Sequence, residues 1–99
     1  MALIDDVRSA LRVSSVLFDS EVQTLIDAAL FDMSNKGVSD KFIAGENGEM
    51  PAIVRQAIVL YAKANFGYDN DEAERFQRSY DSIVCSLLNG SQNVESYHG

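Results

Sequence analysis

The stretch PAIVRQAIVLYAKANFGYDNDEAERFQRSYDSIVCSLLNG, residues 51–90, decides the fold. Apolar residues recur every three or four positions on both sides of a short acidic segment, which predicts two amphipathic helices joined by a tight turn. Pro51 suits a helical first turn, where its missing N–H costs little, and Gly67 is expected to end that helix. Gly90 is expected to end the next one. The hairpin carries no obvious catalytic group, so its expected role is to pack against another surface.

Two more helices are predicted upstream of this hairpin. A short one covers residues 3–12, with acids in the first turn and arginines later, an order that suits the helix dipole. A long one runs from about residue 20 to residue 36; Ser20 and Gln23 would form its capping box, and Gly37 would end it. Leu30 and Phe31 are expected to widen its apolar stripe. The predicted fold is all-α, a compact bundle of four helices, one short and three long.

Residues 38–50, between the second and third helices, have no clear periodicity. They are interpreted as an irregular loop or a small hairpin. In the hairpin interpretation, Lys41–Ala44 would form a very short strand, and Asn47-Gly48 is a favourable dipeptide for the turn.

The chain is expected to form a single helical domain over residues 1–90, followed by a polar, flexible C-terminal tail, residues 91–99. The apolar stripes of the three long helices would meet in one core. Its predicted members are Val22, Leu25, Ile26, Val54, Ile58, Tyr61, Phe76, Tyr80, Ile83, Val84 and Leu87.

The composition is that of an acidic globular protein. The 99 residues include 46% hydrophobic residues, 15 Asp and Glu, and 8 Lys and Arg, giving a formal net charge of −7. This balance argues against a strong, sequence-independent grip on nucleic acid. The single cysteine excludes an internal disulfide. The acidic N-terminal segment does not resemble a signal peptide, and no apolar run approaches a membrane span, so we expect a soluble protein from a reducing compartment without membrane contact.

The acidic turn at residues 69–74 contains oxygen ligands at alternate positions, as at the start of a calcium loop. The glycine required at the sixth position is missing, because Glu74 stands there, and no bidentate glutamate follows at the twelfth. Helix capping by Asp71 and Glu74 explains the acids, so no metal site is predicted.

No catalytic or cofactor-binding residue is predicted elsewhere, and the protein is not expected to be an enzyme. Glu46 and Glu49 flank a turn without any sign of a pocket that would shift a carboxyl pKa. Cys85 lacks a neighbouring base, so it is expected to be a small core or interface residue and not a nucleophile. His98, close to the terminus, is expected to be solvated.

The third helix supports a resemblance to a family. The runs PAIVRQAI, residues 51–58, and LYAKANFG, residues 60–67, resemble the proline-led helix of tailed-phage head–tail connector proteins. These are small adaptors of the HK97 type, also called DNA-packaging proteins. The opening is similar as well, and so is the last helix. The matching residues there are Leu11-Arg12-Val13, Leu25-Ile26-Asp27-Ala28-Ala29, Phe76, Tyr80 and Leu87.

The resemblance implies a structural virion protein. Such adaptors form a ring of about twelve subunits under the portal vertex, a cyclic head-to-tail assembly. They extend the DNA channel and dock the next stopper or tail-completion protein. DNA would pass through without sequence-specific binding. The expected location is the head–tail interface of the virion, and the host cytoplasm during assembly. Following the resemblance, we expect Val94 and Tyr97 to contact the portal and Glu46 and Glu49 to provide channel-facing charge.

Two other classes of binding protein fit the residues less well. A small acidic protein-binding module or DNA-mimic inhibitor would present aligned acids, whereas many acids here are dispersed or positioned as caps. A helix-turn-helix regulator would need a shorter turn near Gly67 and DNA-contacting side chains on the last helix. The acidic module is the main alternative.

Overall fold

The computed structural model describes residues 3–12, 19–45, 48–66 and 71–98, with side chains described as far as Asn89. The described residues form five helices and no strand, so the all-α prediction is confirmed, with one helix more than expected. The helices are α1 Leu3–Leu11, α2 Asp19–Lys36, α3 Asp40–Ala44, α4 Ala52–Asn65 and α5 Ala73–His98.

Helix α4 lies at the centre of the packing and contacts α1, α2 and α5. Val54, Ala57 and Ile58 on its inner face are completely buried. The small side chains of Ala57 and Ala62, also completely buried, leave room for neighbouring helices to approach closely. The buried hydrophobic residues form one cluster, which also contains Val7 of α1 and Met33 of α2.

The predicted core residues all lie in or against this cluster. Seven of the eleven are buried: Val22, Ile26, Val54, Ile58, Tyr80, Val84 and Leu87. The other four are partly buried and pack against the cluster: Leu25, Tyr61, Phe76 and Ile83.

The end of α2 follows the glycine pattern expected from the sequence. Gly37 has a φ of 112°, a conformation that glycine adopts without strain. The N–H of Gly37 donates to the carbonyl of Ser34, and the N–H of Val38 donates to that of Met33. This pair of bonds is the Schellman arrangement, and it returns Val38 to the core. The capping box at the other end is not formed, because α2 already begins at Asp19 and Gln23 donates to Asp27 instead.

The strand considered for Lys41–Ala44 is wrong, because these residues lie in α3. One helical turn satisfies its own backbone, whereas a lone strand would need a partner for its N–H and C=O groups. The Ile43 N–H donates to the carbonyl of Ser39, and the Ile43 side chain is buried. Gly45, with a φ of 77°, follows the last residue of the turn.

The prediction that Gly90 ends the last helix is also wrong, because α5 continues to His98. A glycine inside a helix costs only about 0.5–1 kcal/mol relative to alanine, which a long helix can absorb. Independent movement of residues 91–99 stays a prediction. The expected stop of α4 at Gly67 lies outside the described residues; α4 itself ends at Asn65. Among the described helices, none is both long and apolar enough to cross a membrane.

Candidate functional site

Two carboxylates of the acidic turn and the first turn of α5, Glu72 and Glu74, form local ion pairs. Glu72 accepts a hydrogen bond from Arg75, and Glu74 accepts one from Arg78 at 2.7 Å. Asp69 and Asn70, the first two positions of the calcium-loop comparison, lie outside the described residues. No group of three or more possible metal ligands occurs in the part of the chain that the structure describes.

Cys85 is exposed on α5 and is therefore not a core residue, contrary to one of the two roles expected for it. It lies one position after the buried Val84, which places its side chain off the apolar stripe. The His98 side chain lies outside the described part of the structure.

The residues predicted to face the channel or the portal are only partly described. Glu49 is exposed and lines an open depression of about 420 Å³ with Leu3, Met50 and Arg55. Glu46 lies outside the described residues. The backbone at Val94 and Tyr97 is helical, and their side chains lie outside the described part of the structure, so the portal contact and the channel-facing charge stay predictions.

A groove lies where the last turns of α1 and α4 meet the beginning of α5. Its volume is about 240 Å³. The residues that line it are Ala10, Leu11, Arg12, Lys63, Phe66 and Phe76. The apolar members form its walls, its two charged members are cations, and none of the six is acidic. We call it the cationic groove.

Two cations lie against the Phe76 ring at the cationic groove: Lys63, which also lines the groove, and Arg75, which also pairs with Glu72. Lys63 Nζ lies 5.3 Å from the ring centroid, and Arg75 Cζ also lies 5.3 Å from it. Each distance is within the range of a cation–π interaction. Phe76, which was predicted to belong to the core, is thus partly buried, and two cations lie near its ring.

Arg12 has an unusual backbone conformation at the edge of this groove. It follows the last residue of α1 with a φ of 60°, the only non-glycine residue with positive φ among those described. Its N–H donates to the carbonyl of Ser9. Glycine is the usual residue in this conformation, which costs other residues roughly 1–2 kcal/mol. The exposed arginine therefore stands at a position where the backbone conformation favours glycine, a residue without a side chain.

A second unusual surface is the outer face of α2. Phe31, expected to widen the apolar stripe, is instead 71% exposed, the most exposed of the large hydrophobic residues described. Asp27, one helical turn before Phe31, is exposed on the same side of α2. We call Asp27 and Phe31 the α2 face. It combines one apolar side chain with one carboxylate.

The inner side of α2 carries a polar cluster directed at α5. The buried Tyr80 hydroxyl donates a hydrogen bond to Asp32 Oδ2 at 2.7 Å. Lys36 Nζ lies 3.0 Å from the same oxygen and 5.5 Å from the Tyr80 ring centroid. Tyr61 packs edge-on against the Tyr80 ring, with centroids 5.2 Å apart. The cluster connects α2 to α5, and its polar groups bind one another.

Within this cluster the pKa values of Tyr80 and Asp32 are shifted. Burial, followed by the hydrogen bond to the Asp32 carboxylate, raises the pKa of Tyr80 far above its ordinary value. Burial alone would raise the pKa of Asp32, but the hydrogen bonds from Tyr80 and Lys36, with the Lys36 charge, lower it on balance. Asp32 therefore stays ionised and Tyr80 stays protonated near neutral pH, as a stable contact requires.

These surfaces are suited to binding. The cationic groove and the α2 face pair apolar area with charge, which is typical of protein contact surfaces. The sequence did not identify the groove, because it is assembled from three helix ends. The exposure of Phe31 was missed because its spacing also fits the margin of a buried stripe.

A family model described as phage connector protein matches residues 3–94, which covers all five helices except the last residues of α5. No curated protein and no solved structure matches the chain.

Proposed function

Because the chain belongs to the phage connector protein family, we propose that it is a head–tail adaptor that forms a ring under the portal vertex. The observation that carries this proposal is the family match over residues 3–94. In this role the protein extends the DNA channel and docks the next stopper or tail-completion protein. It belongs to the virion and assembles in the host cytoplasm.

The helical architecture supports a subunit that acts as a rigid wedge. Fifteen residues around α4 are buried, and the described core contains no buried polar or charged residue. A subunit of this kind can repeat around an axis through contacts between two different faces, and such contacts close into a ring when the rotation fits. By the resemblance, about twelve copies would complete the ring.

The charge of the chain supports passage of DNA without binding. Each subunit has a formal net charge of −7. A ring adds these charges around its axis, and an acidic lumen repels the phosphate backbone so that DNA slides without adhering. Glu46 and Glu49 are our candidates for the lumen-facing charge. Glu49 is exposed, as this role requires.

The C-terminal segment is our candidate for the portal contact. Helix α5 continues for about ten residues after Leu88, the last of the described side chains that packs against the core. Val94 and Tyr97 provide apolar side chains in this segment, and they could order on a partner surface. The stopper or tail-completion protein would then meet the opposite face of the ring.

Light scattering coupled to size-exclusion chromatography tests the proposal, with the protein alone and mixed with the portal ring of the same phage. We expect a ring of about twelve subunits, or a portal-dependent complex with several copies per portal ring. A protein that stays monomeric at all concentrations and ignores the portal would refute the adaptor role. A small acidic binding module or DNA-mimic inhibitor would then be the better explanation.

The portal contact has its own test in a paired set of variants. Deleting residues 91–99, or making the double substitution Val94→Ala and Tyr97→Ala, should weaken portal binding. The control is Ser91→Ala with Ser96→Ala, which changes the same segment without removing apolar area. Unchanged binding by the deletion variant would show that the portal contacts another surface.

A further inference from the structure

We propose that the α2 face of one copy docks into the cationic groove of the next copy, with Phe31 as the inserted side chain. The inference rests on the proposed ring, and it identifies the two surfaces that hold neighbouring subunits together. The occupant of the groove is thus a second copy of this chain.

Shape and polarity support the insertion of Phe31. Its side chain is 71% exposed on a helix whose inner residues are completely buried, such as Val22 and Met33. An exposed aromatic residue is a typical anchor of a protein interface. The groove offers about 240 Å³ between the apolar walls formed by Leu11, Phe66 and Phe76, enough for one aromatic side chain.

The charges of the two surfaces are complementary. Of the carboxylates of α2, Asp19 lies 3.2 Å from Arg8 Nε and Asp32 lies 3.0 Å from Lys36 Nζ. Asp27 has no such cation within the described residues, and it accepts a hydrogen bond from the neutral Gln23. Arg12 and Lys63 line the groove, whereas Arg75, which lies against the ring of Phe76, is already paired with Glu72 of the same copy. Opposite charges at the rim of a contact select the partner and fix its orientation.

Arg12 supplies an independent reason to regard the groove as a binding surface. Its φ of 60° is a conformation that glycine would adopt without strain. Local strain of this kind is commonly kept where a side chain serves function. At this position an arginine places a cation at the groove, and a glycine would leave none.

The proposed contact is heterologous, the type of contact from which rings are built. The α2 face lies on α2, whereas the groove is built from α1, α4 and α5, so the two surfaces share no residue. Each copy can therefore use its α2 face on one neighbour and its groove on the other. Such heterologous contacts repeat from subunit to subunit and close into rings, unlike a two-fold contact, which stops at a dimer.

Charge reversal tests the pairing between Asp27 and Arg12. Each single variant, Asp27→Arg or Arg12→Glu, should weaken assembly about tenfold or more, because it places like charges opposite each other. The double variant with both changes restores opposite charges at every contact and should recover assembly. Lys41→Glu is the control, because it alters an exposed cation of α3 by the same charge. Assembly is measured by light scattering, alone and on the portal ring.

The apolar part of the contact is tested with Phe31→Ala, which should also weaken assembly about tenfold. Phe42→Ala is the matched control, an exposed phenylalanine of α3 that lies outside both surfaces. Circular dichroism establishes that each variant keeps its helix content. Because Phe31 and Arg12 are exposed, their loss is not expected to unfold the chain.

The outcomes separate this inference from the proposed function. Loss in the single variants and Phe31→Ala, with recovery in the double variant, would support the contact. If the wild type assembles and all of these variants assemble equally well, the α2 face and groove are not the interface, but the adaptor role stands. If the wild type neither assembles nor binds the portal, the adaptor role fails and this inference fails with it.

Discussion

The hydroxyl of Tyr80 donates to the carboxylate of Asp32 at 2.7 Å and so connects two helices across 48 sequence positions. Tyr80 is completely buried, whereas the Asp32 side chain is 30% exposed. The bond satisfies a hydroxyl that would otherwise be buried without a partner, and its charged acceptor makes it stronger than a neutral hydrogen bond.

We expect Tyr80→Phe to lower the free energy of unfolding by about 1–2 kcal/mol, because it removes a hydrogen bond to a charged acceptor but keeps the ring. Denaturation in urea at pH 7 measures the change. Tyr61→Phe is the control, since no hydrogen bond of its hydroxyl is found in the described structure. A loss as large in Tyr61→Phe would show that the effect does not come from the Asp32 bond.

The lowered pKa of Asp32 predicts a dependence of stability on acid. A carboxyl whose pKa is lower in the folded state adds stability above its unfolded pKa, about 4, and this stability is lost as the pH falls through the folded value. The wild type should therefore lose more stability between pH 5 and about pH 3 than Asp32→Asn. Thermal unfolding across this range measures the difference. Parallel curves for the two proteins would contradict the predicted role of Asp32.

Two isoleucines of α4 provide a test of the core. Ile58 is completely buried, whereas Ile53 is 43% exposed. Ile58→Ala should cost about 2–5 kcal/mol through lost burial and a remaining cavity. Ile53→Ala makes the same chemical change on the same helix and should cost well under half as much. Equal losses in chemical denaturation would mean that the described inner face of α4 is not the one that packs.

The loop after α3 contains two glycines that differ in their surroundings. Both have positive φ, 77° at Gly45 and 75° at Gly48. A Cβ at Gly45 would collide with the backbone carbonyl of Glu49, whereas one at Gly48 would meet nothing within 4 Å. Gly48→Ala should therefore cost only the conformational strain, about 1 kcal/mol, and Gly45→Ala clearly more. Melting temperatures of the two variants give the comparison; a smaller loss for Gly45→Ala would contradict it.

Arg12→Gly should raise the melting temperature slightly. Its φ of 60° favours glycine, so the substitution relieves up to about 1 kcal/mol of strain, less the extra entropy that glycine gives the unfolded chain. Arg12→Ala is the control, because it removes the side chain and keeps the strain. If both variants change stability equally, the backbone conformation is not the cause.

The helices with a long apolar period were predictable because burial and periodicity agree, as at Val54, Ile58 and Val84. The end of α2 just before Gly37 was predictable from local sequence, because glycine readily adopts the positive φ that this type of helix end requires. Helix α3 was not, because five residues are too few to show a period, and its identity depends on the burial of Ile43. The cationic groove was out of reach, since residues as distant as Arg12, Lys63 and Phe76 meet only after folding.

The position of α4 has a consequence for how this protein can evolve. Helices α1, α2 and α5 all pack on α4, so none of these helices forms a unit that could fold apart from the others. Unfolding should be a single cooperative transition. Mutations of the buried residues of α4 therefore change the stability of the whole chain. Exposed surfaces, such as the outer side of α2, contribute little to the folding free energy. Those surfaces are free to vary with the neighbour they meet, and one scaffold can thereby serve different assemblies.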